Sequence, residues 1–252
     1  MENCSFSLKH YDELMALIKQ SRYRTIFFNE ATFSKREIII RHDIDTNLVR
    51  ALDLASIENR YGIRSTWFLW LGSPFYNIFE KSHSDVIKAI LAMGHQIGLH
   101  FNENEHDISR RNDLTYLIKK EADILELAFD TKINAVSFHM PSEAVLKGEY
   151  RLGDSYCYAY HDDFFRKYKY ISDSSMRWRE GCLCKHLEEE DGKPIQVLIH
   201  PLWWQESTLT RKNIIDNLID YKQKKLLSDL EIAAPFYKED IAHESKEQKY
   251  GK

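Results

Sequence analysis

Ile38-Ile39-Ile40-Arg41-His42-Asp43-Ile44-Asp45 is an apolar, β-branched run that ends in two carboxylates separated by a single isoleucine. A run of this composition predicts a buried strand over 38–41, with the acids at its C-terminal end. Residues two apart on an extended chain point to the same side, so Asp43 and Asp45 face one spot. Two carboxylates that close repel unless a cation lies between them or one holds a proton. Capping of the following helix accounts for one of them, with Asn47 as another candidate cap. It does not account for two, and the pair therefore points to metal binding and general base chemistry.

Outward from this segment, short β-branched runs alternate with amphipathic stretches, the pattern of an α/β fold with a parallel sheet. Strands are expected over 64–69, 96–100, 135–139 and 195–200, with a weaker one over 168–171. Helices are expected over 47–61, 85–93, 113–129 and 210–227; in the first, Leu48, Ala51, Leu52, Ala55 and Ile57 fall roughly on one face. The expected strands end in polar residues: Asp43 and Asp45, His100, His139, His200. In parallel α/β sheets and barrels that edge is where ligands bind, so chemistry scattered along the sequence is expected to converge in space.

Composition bounds the rest. The 252 residues suffice for one large domain, and 43% hydrophobic with 13% aromatic residues describes a folded protein. A net charge of -4 gives no basic footprint for nucleic acid. No run approaches a membrane span, and the N-terminus has no apolar leader, so a cytoplasmic location is expected. The four cysteines, Cys4, Cys157, Cys182 and Cys184, are sparse and imply reduced thiols. Cys182-Leu-Cys184-Lys-His186 has the look of a metal knuckle without the second ligand cluster that structural zinc sites use; the plainer expectation is a strand whose cysteines share a face. The end of the chain, 239–252, reads as a solvated tail.

Gly94-His95-Gln96-Ile97-Gly98-Leu99-His100 puts two histidines on opposite faces of a strand; His100, at its end, is the functional one. Asn102, Glu103, Asn104 and His106 crowd the loop beyond it. Ser137-Phe138-His139-Met140-Pro141 and Leu198-Ile199-His200-Pro201 repeat the theme of strand, histidine and proline. Trp203 and Trp204 either wall a pocket for a sugar ring or belong to the core. Ser172-Asp173-Ser174-Ser175-Met176-Arg177-Trp178 reads as a turn with an Asx cap or as a polar ligand-binding segment.

In this order the segments resemble the polysaccharide deacetylase superfamily, whose shared unit is the NodB homology domain, over about 38–204. The resemblance implies a single-domain distorted (β/α) barrel over 36–238, preceded by a helical lead-in over 1–35. It implies Asp43 as catalytic base, Asp45 and His100 as metal ligands, and His200 as general acid. The motif carrying Asp and Trp falls on Asp173 and Trp178, giving Asp173, Arg177 and Trp178 as substrate-binding positions. Two positions depart from the family. Its second ligand histidine is replaced by Asn104, and its base-orienting arginine by His139. His139 is then the expected third ligand, with Asn104 or His106 as alternatives, or the metal is lost. The implied function is metal-dependent hydrolysis of an N-acyl, chiefly N-acetyl, group on an amino sugar. Zinc is the expected ion, with Ni, Co or Fe suited to similar sites. The segment set resembles a branch tied to bacterial surface polysaccharides, O-antigen or capsule, which implies a nucleotide- or lipid-linked substrate. The rival readings are a metal-free sugar-binding protein and a cyclic amide or imide hydrolase on the same fold.

Overall fold

The computed structural model describes residues 4–107, 111–148, 153, 155–187 and 192–237; the expected tail over 239–252 lies outside them. The chain forms two compact units, Met1–Thr208 and Leu209–Lys252. The first opens with α1 (Leu8–Gln20) and β1 (Arg24–Thr25), then β2 (Glu37–Ile44), α2 (Leu48–Arg60), β3 (Thr66–Leu69), α3 (Lys81–Ala92), β4 (Gln96–Phe101), α4 (Arg111–Phe129) and β5 (Ala135–Phe138). It continues through α5 (Glu143–Leu146), β6 (Cys157–Tyr158), β7 (Lys169–Ser172), α6 (Leu183–Leu187) and β8 (Ile195–Ile199). The second unit carries α7 (Arg211–Ala233), capped by Thr210, whose Oγ1 accepts from Asn213 N at 3.2 Å.

The strands are parallel and ordered β6-β5-β4-β3-β2-β8-β7, with β1 against β2. Read as a ring, that is sequence order from β2 to β8 with one break, between β6 and β7. The fold is therefore a distorted (β/α) barrel open at that seam. β2 lies mid-sheet with all eight residues buried, as a parallel strand covered on both faces must be. It runs to Ile44, three residues beyond the expected end, so Asp43 lies within the ladder and only Asp45 follows it.

Two sequence features are explained by packing. Gly98, on β4, faces Phe68; a Cβ there would stand 2.6 Å from the Phe68 ring and 2.9 Å from the Ala135 carbonyl. His42 and His95 serve a buried network rather than the rim. Glu58 of α2 accepts from Tyr11 Oη at 2.5 Å and Ser65 Oγ at 2.5 Å, and meets His42 Nε2 at 2.7 Å. His95 closes the network through Ser65, at 3.0 Å. Burial pushes the Glu58 carboxyl up, but His42, Ser65 and His95 outweigh it and hold it below the usual carboxylate range.

The cysteine segment departs from expectation. Leu183–Leu187 is a short helix rather than a strand, because Gly181, at φ 92°, turns the chain just before it.

Gly98→Ala should destabilise the fold by about 1–3 kcal/mol through overpacking between β3 and β5, read as a lower urea midpoint with an unchanged m-value.

Candidate metal centre and active site

The C-terminal ends of β2, β4, β5, β7 and β8 bring Asp43, Asp45, His100, His139, Asp173 and His200 to one rim of the barrel. Asp45 Oδ1 lies 3.1 Å from His100 Nε2 and 3.1 Å from His139 Nδ1, and the two ring nitrogens are 3.3 Å apart. Ligands at about 2.0–2.1 Å around a tetrahedral ion stand roughly 3.3–3.4 Å from one another, so this triangle fits a zinc-like ion with little adjustment. Two imidazoles and a carboxylate are also the donor types such an ion takes.

The two imidazoles of the triangle are held from behind. His100 Nδ1 meets Ser137 Oγ at 2.6 Å, which directs Nε2 toward Asp45. The His139 ring stacks on Trp70 at 4.2 Å between centroids, and Trp70 Nε1 donates to Glu105 at 2.9 Å. Burial pushes the Asp45 carboxyl up, but hydrogen bonds from His100 and His139 overwhelm it and hold the group ionised far below the usual range.

The alternative third ligands do not reach this triangle. Asn104 is exposed. His106 turns to α4, with Nε2 2.6 Å from Glu121 Oε1 and its ring stacked 4.9 Å from Phe101.

Asp43 is 3% exposed and carries a partner to which the sequence reading gave no role. Arg41 Nε donates to Asp43 Oδ1 at 2.9 Å and Nη2 to Oδ2 at 2.7 Å, a bidentate fork. Nη2 also donates to Tyr160 Oη at 2.8 Å, and the guanidinium lies 4.6 Å from the centre of that ring. Burial pushes Asp43 up; the Arg41 charge and His100 bring it down to a net lowering. The alternation rule that pairs Asp43 with Asp45 places Arg41 on the same face, so the signal for this residue was present in the sequence.

On the other flank, Asp173 is fully buried and turned inward. It accepts from His200 Nδ1 at 2.6 Å, from the His200 backbone N–H at 3.0 Å and from Trp204 Nε1 at 3.0 Å. The substrate-binding position expected at Asp173 is thus an orienting carboxylate for His200. Burial works against the His200 cation, but Asp173 prevails and pushes the imidazole up to about 9. His200 Nε2 is 4.0 Å from Asp45 Oδ2.

Arg177 is exposed, while Trp178 stacks on Phe6 at 5.9 Å and packs with the core. Trp204 is fully buried against Tyr11 and Phe6. Trp203 lines a small cleft of about 50 Å³ with Asp43, Asp45, Thr46, Asn47 and His200.

No family model matches the sequence, and no curated protein matches it. Among solved structures the fold is similar to a deacetylase of Streptococcus pyogenes in complex with acetate, at 14% identity over 59% of this chain and 70% of that one, with a TM-score of 0.44. It is similar to a peptidoglycan deacetylase from Bacillus subtilis, at 13% identity over 81% and 100% of the two chains, TM-score 0.44. A CE4 family pseudoenzyme from Bacillus anthracis is similar at 14% identity over 76% of this chain and 62% of its own, TM-score 0.42.

Arg41→Met should cost about 3–5 kcal/mol by leaving Asp43 buried without its cation, and Arg41→Met with Asp43→Leu should recover much of it; urea unfolding of the two variants measures both.

Proposed function

We propose that this chain is a metal-dependent hydrolase of the polysaccharide deacetylase type, removing an N-acyl group, chiefly N-acetyl, from an amino sugar. The observation that carries it is one donor triangle, Asp45, His100 and His139, with a carboxylate gripped by Arg41 and an imidazole gripped by Asp173 both beside it. A divalent ion held by those three residues supplies Lewis acidity to the acyl oxygen and to the attacking water. Zinc suits the set; nickel, cobalt or iron suit it less selectively.

The chain's own residues do the proton work. Asp43, kept anionic and fixed in orientation by Arg41, takes the proton of the attacking water. Asp173 accepts from His200 Nδ1–H, which leaves the Nε2 proton on the Asp45 side to be delivered to the departing amine. The roles differ because the environments differ: an arginine holds one group negative, and a buried carboxylate holds the other positive.

Thr46 Oγ1 and Trp203 Nε1 are buried without a partner among the described residues, and both residues line the cleft. The Trp203 face offers an apolar contact to a bound sugar. Arg177 is exposed four residues after Asp173, and a charge on a nucleotide- or lipid-linked precursor of O-antigen or capsule is the partner we propose for it. A reducing compartment, the cytoplasm, fits Cys4 and Cys184, whose sulfurs lie 3.5 Å apart as free thiols. A binding module has no use for a base and an acid on either side of a metal set, which favours the hydrolase over a sugar-binding protein.

Asp43→Asn should lower N-deacetylation of an N-acetylated amino sugar by about 10²–10⁴-fold with metal content unchanged. Asp45→Ala should lose one equivalent of metal and the activity together. Elemental analysis beside an acetate-release assay measures both, and loss of metal in Asp43→Asn would exchange the roles of the two aspartates.

A further inference from the structure

Three of the four cysteines of this chain meet at one place. The sulfurs of Cys4, Cys182 and Cys184 all lie within 4.8 Å of one another, with Cys4 Sγ 3.5 Å from Cys184 Sγ. Adjacency in sequence brings Cys182 near Cys184, but Cys4 arrives from 180 residues away. Its segment is fixed there by backbone bonds, Leu8 N–H to the Gln205 carbonyl at 2.7 Å and Gln205 N–H to the Phe6 carbonyl at 3.0 Å. The second ligand cluster that a Cys-x-Cys pair lacks in the sequence is thus supplied by the fold.

An imidazole stands beside Cys182, next to the triangle of sulfurs. His10 of α1 is 3% exposed, and its Nε2 lies 3.3 Å from Cys182 Sγ. Its Nδ1 lies 3.3 Å from Glu13 Oε2, one turn along the same helix. A carboxylate on the far nitrogen keeps the proton there and leaves the Nε2 lone pair toward the sulfur, the arrangement in which histidines ligate metals. His186, the nearest histidine in sequence, points elsewhere, to the Glu180 carbonyl at 2.9 Å.

The spacings suit one ion. Bonds of about 2.3 Å to sulfur and 2.0–2.1 Å to nitrogen at tetrahedral angles separate two sulfurs by roughly 3.8 Å and sulfur from nitrogen by about 3.6 Å. The observed 3.5 and 3.3 Å fall within a few tenths of these. Burial pushes the Cys182 and Cys184 thiols up, so without a cation the cluster is a set of packed neutral thiols with only weak hydrogen-bonding capacity.

We infer that Cys4, Cys182 and Cys184 bind a structural zinc ion separate from the Asp45 centre. Binding displaces the three thiol protons to solvent, and His10 Nε2, 3.3 Å from Cys182 Sγ, turns in to take the fourth position, so this ion holds structure and does no chemistry. It ties the N-terminal segment and α1 to α6.

The test is zinc content of full-length protein prepared without chelator or affinity nickel, as wild type, Asp45→Ala and Cys182→Ser with Cys184→Ser. The cysteine variant should lose one equivalent that Asp45→Ala retains, which separates this site from the proposed catalytic one. Should the cysteine variant fail to fold, wild type refilled with Co²⁺ decides. A thiolate-to-cobalt charge-transfer band in the near ultraviolet, present also in Asp45→Ala, supports the site. Bound cobalt without that band, equal zinc in the cysteine variant and wild type, or a disulfide among these cysteines in the native protein would overturn it.

Discussion

The fork between Arg41 and Asp43 is the constraint on which the rest of the rim depends. A carboxylate 3% exposed inside a parallel sheet stays ionised only with a cation in contact. Here that cation lies two residues back on the same strand, fully buried itself and held by Tyr160. In the family that the motifs resemble, a motif-three arginine orients the base, and that position is His139 in this chain. Because β2 carries its own arginine, position 139 is released from orienting Asp43 and joins Asp45 and His100. On the proposed reading, the cation beside the base sits on the base's own strand, and the third imidazole donor stands at the end of β5.

Behind the rim, the carboxylates are paired with other buried groups. Ser137 stands between the base and the ligand set, 2.6 Å from His100 Nδ1 and 3.4 Å from Asp43 Oδ1. Asp173 spends its oxygens on His200 and Trp204, so the acid cannot rotate without breaking a buried pair. Glu58 does the same service one layer below, where His42 is stacked 3.7 Å from Trp67. Such networks rigidify when complete and are costly when any member is removed. Thr46 Oγ1 and Trp203 Nε1, on residues that line the cleft, are buried without a partner among the described residues, as are Arg41 Nη1 and Trp178 Nε1 away from it.

What was legible in the sequence follows the length and period of each signal. The β-branched runs that became β2, β4, β5 and β8 were visible because a buried parallel strand must be apolar throughout. β1 and β6 were not, since two residues carry no periodicity. The five residues of α6 are likewise too few to show a helical repeat, and alternating cysteines imitate a strand. His100 was separable from His95 by alternation alone. Arg41 is on the same face by that rule, but an arginine inside an apolar run carries no local sign that its charge is spent on a buried carboxylate. His106 shows the opposite failure: nearness in sequence to a ligand position says nothing when an aromatic ring and a glutamate on another element claim the side chain. The inward turn of Asp173 had no local signal, because a polar turn reads the same whether its aspartate faces solvent or a tryptophan.

The N-terminal segment is part of the acid half of the site. Phe6 and Tyr11 pack at 5.4 and 4.9 Å from the Trp204 ring, and His10 stacks at 6.3 Å. Trp204 in turn donates to Asp173, and Asp173 fixes His200. A displacement of α1 would therefore reach His200 through one indole ring, with the Asp45 triangle held independently by Ser137 and Trp70. The two halves of the proposed site rest on different supports: the Asp45 triangle on the strands and their immediate neighbours, and His200 on a stack that begins at residue 6. A contact that anchors the first residues of the chain, such as the cysteine cluster at Cys4, then bears on His200 far more than on the metal ligands.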